Sequence, residues 1–540
     1  MQHAALLDER FAYTGRPIRK IKLVELRSAR TDFIKNAIMP WHGTVLIGSL
    51  LKQEGYEVEA LLEDMSVFDE HDLADADAVL VHQVAGNLEK NERLLAKARK
   101  LNPNLIAIGG GGLAKVIPSA GAEAVDFIVR GEGEDTIVEL LEALNGKRDI
   151  RDVLGVTYWH EGKLQHTGPR AFTKRLGVPT SMSIIRGYRK MSMLEQALRR
   201  RYYFMTIEAS RGCPFACKFC ITPDLYGSYR TRDVDRVLDE LRDRRQYSSR
   251  IWFIDNLFVV KRDFIIELLT RMIQEGLHEG GNYTCFLRVE NAQDQDMLPL
   301  LRRAGFTNVY VGFESLDTET QKEWNKRLKL QEMSDCVTAY HRHGIRVHGS
   351  FLMGSDGQRV EDMYSTLAWA ETNAVDYVSM YCLIPTQMQE NVCIPRHRML
   401  APSWDYVNGN YVTFFPKHMR PSTLQKTVLD CLDSFYHPRH IPRKMAAQGK
   451  VNNALRFGGS LAAIWATLRR NRGEFDKYTD YLRSVEADYY DKNEELIEER
   501  LPPLGIRPEV PFIDTPDPAV RVITLGKQSK ARFVASECNT

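Results

Sequence analysis

From residue 20 to about 145, short apolar runs alternate with stretches whose apolar side chains recur every three to four positions. The runs are Ile21–Leu26, Val58–Leu62, Ala78–Val81, Leu105–Ile108 and Phe127–Val129; the amphipathic stretches are Thr44–Glu54, Leu88–Lys100 and Thr136–Leu144. Near-continuous apolar strands joined through helices by short turns predict a parallel sheet covered on both faces, an open doubly wound α/β fold. Val156–Gln165 then alternates about a turn at Glu161–Lys163 and predicts a hairpin.

A second alternation starts near residue 203. Strands are expected at Phe204–Ala209, Ile251–Asp255, Tyr283–Val289, Val309–Phe313, Val347–Met353 and Val378–Leu383. Helices are expected between them at Val234–Arg245, Phe264–Glu275, Asp294–Arg303, Glu332–His343 and Val360–Thr372. Six such units suit a partial (β/α)6 barrel, in which chemistry gathers at the carboxyl ends of the strands. Past residue 400 the alternation stops; Ser422–Tyr436, Asn452–Arg470 and Phe475–Lys492 read as helices, and the last 40 residues as an extended tail. The organisation expected is an extension at 1–19, a sheet domain at 20–165, a basic linker at 166–201, a barrel at 202–400, and a mainly helical region at 401–540.

Composition narrows the class. With 540 residues, 27% charged and 44% hydrophobic, the chain reads as an ordinary globular protein of about three domains. Its 73 basic and 71 acidic side chains leave a charge of +2, no reason to expect nucleic acid or another polyanion. The first twenty residues lack the apolar core of a signal peptide, and no apolar run reaches the roughly 18 residues of a membrane span, so a cytoplasmic, reducing location is expected. There, clustered cysteines bind metal or do redox chemistry.

Three of the nine cysteines are clustered, in Ser210-Arg211-Gly212-Cys213-Pro214-Phe215-Ala216-Cys217-Lys218-Phe219-Cys220. The spacing C-x3-C-x2-C lies on the loop after the first barrel strand. Three thiolates so close suit a soft metal or an iron–sulfur cluster. A structural zinc site would want a fourth ligand, yet the next cysteine is Cys285 and no histidine falls between Cys220 and His278. In the first domain, the segments expected at the strand ends are Met39–Thr44, His82–Asn87, Gly109–Gly112 and Arg130–Thr136. Four successive glycines at 109–112 make either a merely tight turn or a backbone surface against which something flat can lie.

The cysteine motif, with an aromatic residue before its last cysteine, resembles that of the radical S-adenosylmethionine (radical SAM) superfamily. The resemblance implies that Cys213, Cys217 and Cys220 hold three irons of a [4Fe–4S] cluster, whose fourth iron chelates S-adenosylmethionine. One-electron reduction, by a donor such as flavodoxin or ferredoxin, then releases a 5′-deoxyadenosyl radical. Phe253-Ile254-Asp255-Asn256 stands where the superfamily has a motif for the methionyl amine. Gly312-Phe313-Glu314-Ser315 is similar to its G-x-E-S, and Gly349–Gly354 to its G-x-F-x-x-G. Contacts to S-adenosylmethionine are therefore implied for Phe219, Asp255, Asn256, Glu314, Ser315 and Ser350. Leu383–Gln389 departs from the P-x-P-G-T segment of many relatives, so their substrates do not carry over.

The glycine loop, the GEGED segment and the hairpin resemble the cobalamin-binding domain of class B radical SAM enzymes. That implies corrin contacts at Trp41, His42, Gly43, Thr44, Val84, Gly109, Gly110, Gly111, Gly131, Glu132 and Gly133. Asp69–Ala74 only approaches the D-x-H-x-x-G cobalt-ligand motif, and His71 reads as an exposed residue at a helix start. The activity expected is methyl transfer from cobalamin to an unactivated carbon, on a small-molecule substrate that is a lipid or isoprenoid by preference. The rivals are a cobalamin-dependent cyclase or ring-rearranging enzyme, a methylthiotransferase, and a non-catalytic cobalamin sensor.

Two features have plainer readings. His341 and His343 close a helix where cations complement its dipole, and with His348 they only superficially suggest a metal site. Ser434–Gly473 holds eight Lys/Arg and no acid, with Leu455, Phe457, Leu461, Ile464, Trp465 and Leu468 at helical spacing. It is either a packed helix with a solvated basic face or a peripheral membrane contact through 439–472.

Overall fold

The protein is described by a computed structural model covering residues 17–28, 30, 37–190, 192, 194–195, 202–384, 398–400, 403–446, 451–492, 512–514 and 521–523. In the first domain the strands are β1 (Lys20–Glu25), β2 (Ala37–Ile38), β3 (Glu57–Leu62), β4 (Ala78–His82), β5 (Ile106–Gly110), β6 (Phe127–Val129), β7 (Val156–His160) and β8 (Lys163–His166). All but β2 form one sheet in the order β3-β1-β4-β5-β6-β7-β8. Pairing is parallel as far as β6, and the hairpin β7–β8 adds an antiparallel edge. The hairpin turns at Glu161 and Gly162, both at positive φ, as a two-residue turn between twisted strands requires.

Alternation within β1 explains the continuous apolar runs. Ile21 and Leu23 pack with Leu50, Leu51, Ile137 and Leu140 of helices His42–Gln53 and Gly133–Leu144. Val24 faces the opposite side, with Leu95 and Ala98 of helix Leu88–Leu101. Because the chain passes from β1 to β3 on one side and to β4 on the other, the strand order reverses between β1 and β4. A crevice opens there beyond the carboxyl ends.

The segment expected as a linker is a bound strap where it is described. Ile185 bridges to Ala60, Met182 and Ile184 join the core, and Arg186 pairs with Glu59 at 2.7 Å. Apolar residues within its basic composition dock it on the edge strand β3.

Next come β9 (Tyr202–Tyr203), which pairs with β2, then β10 (Met205–Ile207), β11 (Ser210–Arg211) and β12 (Arg230–Thr231). They are followed by β13 (Arg250–Phe253), β14 (Asn282–Leu287), β15 (Phe306–Glu314), β16 (Arg346–Met353) and β17 (Tyr377–Cys382). The six parallel strands β10-β13-β14-β15-β16-β17 are neighbours in sequence order, an open partial barrel with helices between them. Its lumen is filled by rings: Trp252 stacks on Phe286 at 5.5 Å, and Tyr310 lies 4.1 Å from His348.

One expectation fails beyond the barrel. Asn452–Arg470 and Phe475–Lys492 are parts of a single helix, Val451–Lys492. Asn471 turns its side chain back to the Thr467 carbonyl at 2.8 Å, and an interior glycine at 473 costs only about 1 kcal/mol. Helix Pro421–Tyr436 packs along it. Phe457, Leu461 and Leu468 are buried, while Arg472 pairs with Asp430 at 3.2 Å, so acids of the neighbouring helix serve the acid-free stretch. Among the described residues no helix is long and apolar enough to cross a membrane. The loop 385–389 and most of the expected extended tail lie outside the described residues.

Candidate active site

A cavity of about 720 Å³ lies between the carboxyl ends of the first sheet and the mouth of the barrel. Its walls include the eleven residues expected to contact the corrin, Trp41, His42, Gly43, Thr44, Val84, Gly109, Gly110, Gly111, Gly131, Glu132 and Gly133, but none of the nine expected around the cluster and S-adenosylmethionine. Leu80, Ile108, Val129 and Ile137 make the sheet side apolar. Trp41 is 51% exposed, a large indole presented to this space. Its amide donates to Glu25 at 3.2 Å, and burial pushes that carboxyl up to about 8. Gly111 stands at φ 142°, ψ 178°, a conformation almost confined to glycine, and a Cβ there would fall 2.5 Å from the Gln83 carbonyl oxygen. At Gly43 nothing lies within 4 Å of an added Cβ, and at Gly131 only a Lys115 carbon at 3.8 Å. The chain thus leaves open, flat-walled space where side chains would otherwise stand, which fits a corrin.

Sequence reasoning missed the opposite wall. Thr206, Glu208, Arg211, Trp252, Ile254 and Phe286 come from the barrel, and Trp404 and Val407 from the C-terminal region. Trp404 is held against Ala85, Leu88, Ile117 and Ala120. Nearness to the cysteine loop was a usable signal for Arg211; for Trp404 there was none, because the contact spans more than 280 residues of chain.

The cysteine loop is gripped by three strand ends. From β13, Asp255 accepts from the Ala209 amide at 3.1 Å and from the Ser210 hydroxyl, and the Asn256 side chain accepts from the Gly212 amide at 3.1 Å. Burial raises Asp255 to about 7. From β14, Arg288 donates to Cys217 Sγ at 3.6 Å and lies 3.9 Å over the Phe215 ring. After β15, the Trp324 carbonyl accepts from the Lys218 amide at 3.1 Å, Phe219 meets the Trp324 ring edge-on at 5.2 Å, and Asn325 donates to the Ala216 carbonyl at 3.1 Å. Gly212 takes φ +87°, and a Cβ there would sit 2.6 Å from the Ser228 carbonyl oxygen.

Burial raises the Cys213 and Cys220 thiols, and the charges of neighbouring cysteines add to it, so the three sulfurs share one electrostatic neighbourhood. Among the described residues, no three His, Cys, Asp or Glu side chains stand ready at ion-binding distances. The donor set itself is three half-buried thiols, with a guanidinium beside them to stabilise negative sulfur. It fits a cubane with one open iron, whereas a closed zinc site would lack its fourth ligand.

The residues expected around S-adenosylmethionine divide. Phe219 and Glu314 flank the loop; Glu314 holds Lys326 at 2.8 Å, and its charge reaches Cys220. Asp255 and Asn256 brace the root of the loop. Ser315 accepts from the Asp317 amide at 3.1 Å, and Ser350 lies on β16 in register with Gly312. His71 stays exposed at the start of a short helix capped by Asp69. His341 pairs with buried Asp376 at 2.8 Å, and His348 meets Ser379 at 2.7 Å, so both serve packing.

Between the two domains lies a buried ionic network. Arg211 binds Glu208 through two contacts of 2.8 Å, Glu134 at 2.7 Å and Glu132 at 3.2 Å. Burial opposes ionisation of Glu208, but Arg211 prevails and holds that carboxyl below its usual range. His42 lies 3.8 Å from both Glu208 and Glu240; burial lowers its pKa against their pull.

Comparison with known proteins agrees with this architecture. The B12 binding domain family matches residues 36–141 and the Radical SAM superfamily residues 207–370. An uncharacterized methyltransferase of Pyrococcus horikoshii is 26% identical over 413 residues, 73% of this chain and 87% of that one. The anaerobic magnesium-protoporphyrin IX monomethyl ester cyclase of Cereibacter sphaeroides is 25% identical, over 72% of this chain and 65% of its own length. The solved radical S-adenosylmethionine methyltransferase TsrM from Kitasatospora setae, with cobalamin and a [4Fe-4S] cluster bound, shares the fold. Its TM-score is 0.57 at 20% identity, covering 69% of this chain and 73% of that chain. A B12-binding domain is thus followed along the chain by a radical SAM domain, the order and fold of the cobalamin-dependent radical S-adenosylmethionine enzymes that it resembles.

Proposed function

We propose that the chain is a methyltransferase that moves a methyl group to an unactivated carbon of an apolar small molecule. The observation that carries the reading is an apolar cavity shared by the glycine-lined ends of the first sheet and the mouth of the barrel. When bound, the cluster and cobalamin supply reductive cleavage of S-adenosylmethionine to a hydrogen-abstracting radical, and a methyl group for the resulting carbon radical. Cys213, Cys217 and Cys220 hold the cluster, and Arg288 and Lys326 place positive charge around it. Trp41, Gly43, Gly109, Gly111 and Gly131 form the surface under the corrin. Trp252, Ile254 and Phe286 face it from the barrel and keep water from the reacting carbon. The electron comes from a one-electron donor such as flavodoxin or ferredoxin. Peripheral membrane contact through 439–472 would have to use the basic face with Leu455 and the half-buried Ile464 and Trp465, since Phe457, Leu461 and Leu468 are buried; salt-sensitive flotation with anionic vesicles tests it.

The test is anaerobic protein purified with cobalamin, reduced in the presence of methyl-deuterated S-adenosylmethionine and an organic extract of cells lacking the enzyme. Deuterium in an extract component together with 5′-deoxyadenosine supports methyl transfer. 5′-Deoxyadenosine with loss of substrate but no label supports the second reading, a radical cyclase or rearranging enzyme, which the cyclase relative favours. Protein that holds iron and corrin but forms no 5′-deoxyadenosine refutes both.

A further inference from the structure

We infer that Arg211 is a positioning residue that fixes the cysteine loop against the corrin-binding floor, so that one side chain sets the distance between the two reaction centres. The inference rests on the cobalamin-dependent reading above.

Arg211 ends β11, two residues before Cys213, and its neighbour Gly212 is tied to Asn256. Its partners Glu132 and Glu134 lie 79 and 77 residues earlier in the chain, in the Gly131–Gly133 turn and the first turn of the helix behind it. Both ends of this clasp line the cavity. A guanidinium has five N–H donors in a rigid plane. Here Nε and one terminal nitrogen take Glu208, while the other terminal nitrogen takes Glu134 and Glu132. The fork therefore fixes an angle as well as a distance between the two domains. Lysine, a point charge on a flexible stem, cannot do that.

A second arginine steadies the arrangement. Arg230 on β12, which pairs antiparallel with β11, binds Glu132 at 2.6 and 3.1 Å. Side-chain exposure of 7% for Arg211, 4% for Glu132 and 2% for Glu134 keeps water from competing. A network meant only to stabilise could sit anywhere in the interface. This one joins the turn expected under the corrin to the strand that delivers the first cysteine.

The experiment uses the full chain loaded with cobalamin, iron and sulfide, and compares wild type with R211K. Iron and corrin content and Tm are measured beside the electron paramagnetic resonance of the reduced cluster together with cob(II)alamin, whose magnetic interaction reports their separation. The expected result for R211K is wild-type cofactor content with a broadened or shifted cluster–cobalt distance. Unchanged distance with lowered Tm would overturn the inference, leaving Arg211 a stabilising ion pair. If R211K loses either cofactor, E134Q and E132Q approach the clasp from its other side and are expected to broaden the distance; unchanged distances in both overturn it. Wild-type protein that takes up no corrin sinks the cofactor reading and this inference with it, an outcome told apart because it appears before any substitution.

Discussion

The glycine run at 109–112 allows one chemical change to be compared at adjacent positions. Gly111→Ala puts a methyl group on a residue at φ 142°, ψ 178°, where an L-residue costs about 1–3 kcal/mol of backbone strain. The new Cβ would also lie 2.5 Å from the Gln83 carbonyl oxygen. That atom is backbone, and its own amide is bonded to Gly110 at 2.7 Å, so relief requires the β4 and β5 ends to part. Gly110→Ala adds the same methyl group where its nearest neighbours are Val129 atoms at 3.8 Å, an ordinary contact, and at ordinary φ. Restricting the unfolded chain there is worth a few tenths of a kcal/mol in favour of folding. At roughly 2–4 °C per kcal/mol for a domain of about 150 residues, Gly111→Ala lowers the melting of the first domain by roughly 2–12 °C. Gly110→Ala leaves it unchanged or slightly raised. Calorimetry on apo-protein makes the comparison free of corrin binding. Equal melting temperatures for the two variants would refute the account of this turn as one that only glycine can form.

Other expectations follow from single residues. Lys326→Met leaves Glu314, itself at positive φ, without its buried partner, and lowers stability by about 3 kcal/mol in urea denaturation; a change under about 1 kcal/mol would mean that water reaches the carboxylate. Burial raises the Glu25 carboxyl from 4.5 to about 8, so between those values the folded chain keeps a proton that the unfolded chain releases. Stability therefore falls as pH climbs through that window, and Glu25→Gln makes the Tm difference between pH 5.5 and 8.5 smaller; an identical difference in both proteins contradicts this. Gly473→Ala, with nothing within 4 Å of its Cβ and helix on both sides, raises stability by about 1 kcal/mol; destabilisation would indicate a break in the helix at that point.

Methyl-group chemistry on an unactivated carbon needs a radical generator and a methyl donor held near one substrate atom. In the proposed reading, two sheets face each other across one cavity, carboxyl ends inward, with Arg211 and Ile221 beside the cysteine loop on the barrel side and the glycine turns on the other. Displacement of about 1 Å in such a geometry can cost about a hundredfold in rate. This is why the contacts that tie loop to turn carry weight beyond their contribution to folding.

The sequence by itself determined much of this protein. Strands β1, β3, β4, β5 and β6 and the six barrel strands were legible because each is a short apolar run between turns. The three cysteines and the glycine turns were legible because their chemistry is written in contiguous residues. Only the tertiary structure decided the rest. It joined Asn452–Arg470 and Phe475–Lys492 into one helix, since packing along Pro421–Tyr436 outweighs the local signal of Asn471 and Gly473. It turned Asp255 into a brace for the cysteine loop, and it brought Arg211, Trp252 and Trp404 to the cavity. Local periodicity records which face of an element is buried. It holds no record of which distant element does the burying, and the opposite wall of this cavity is made entirely of such distant contacts.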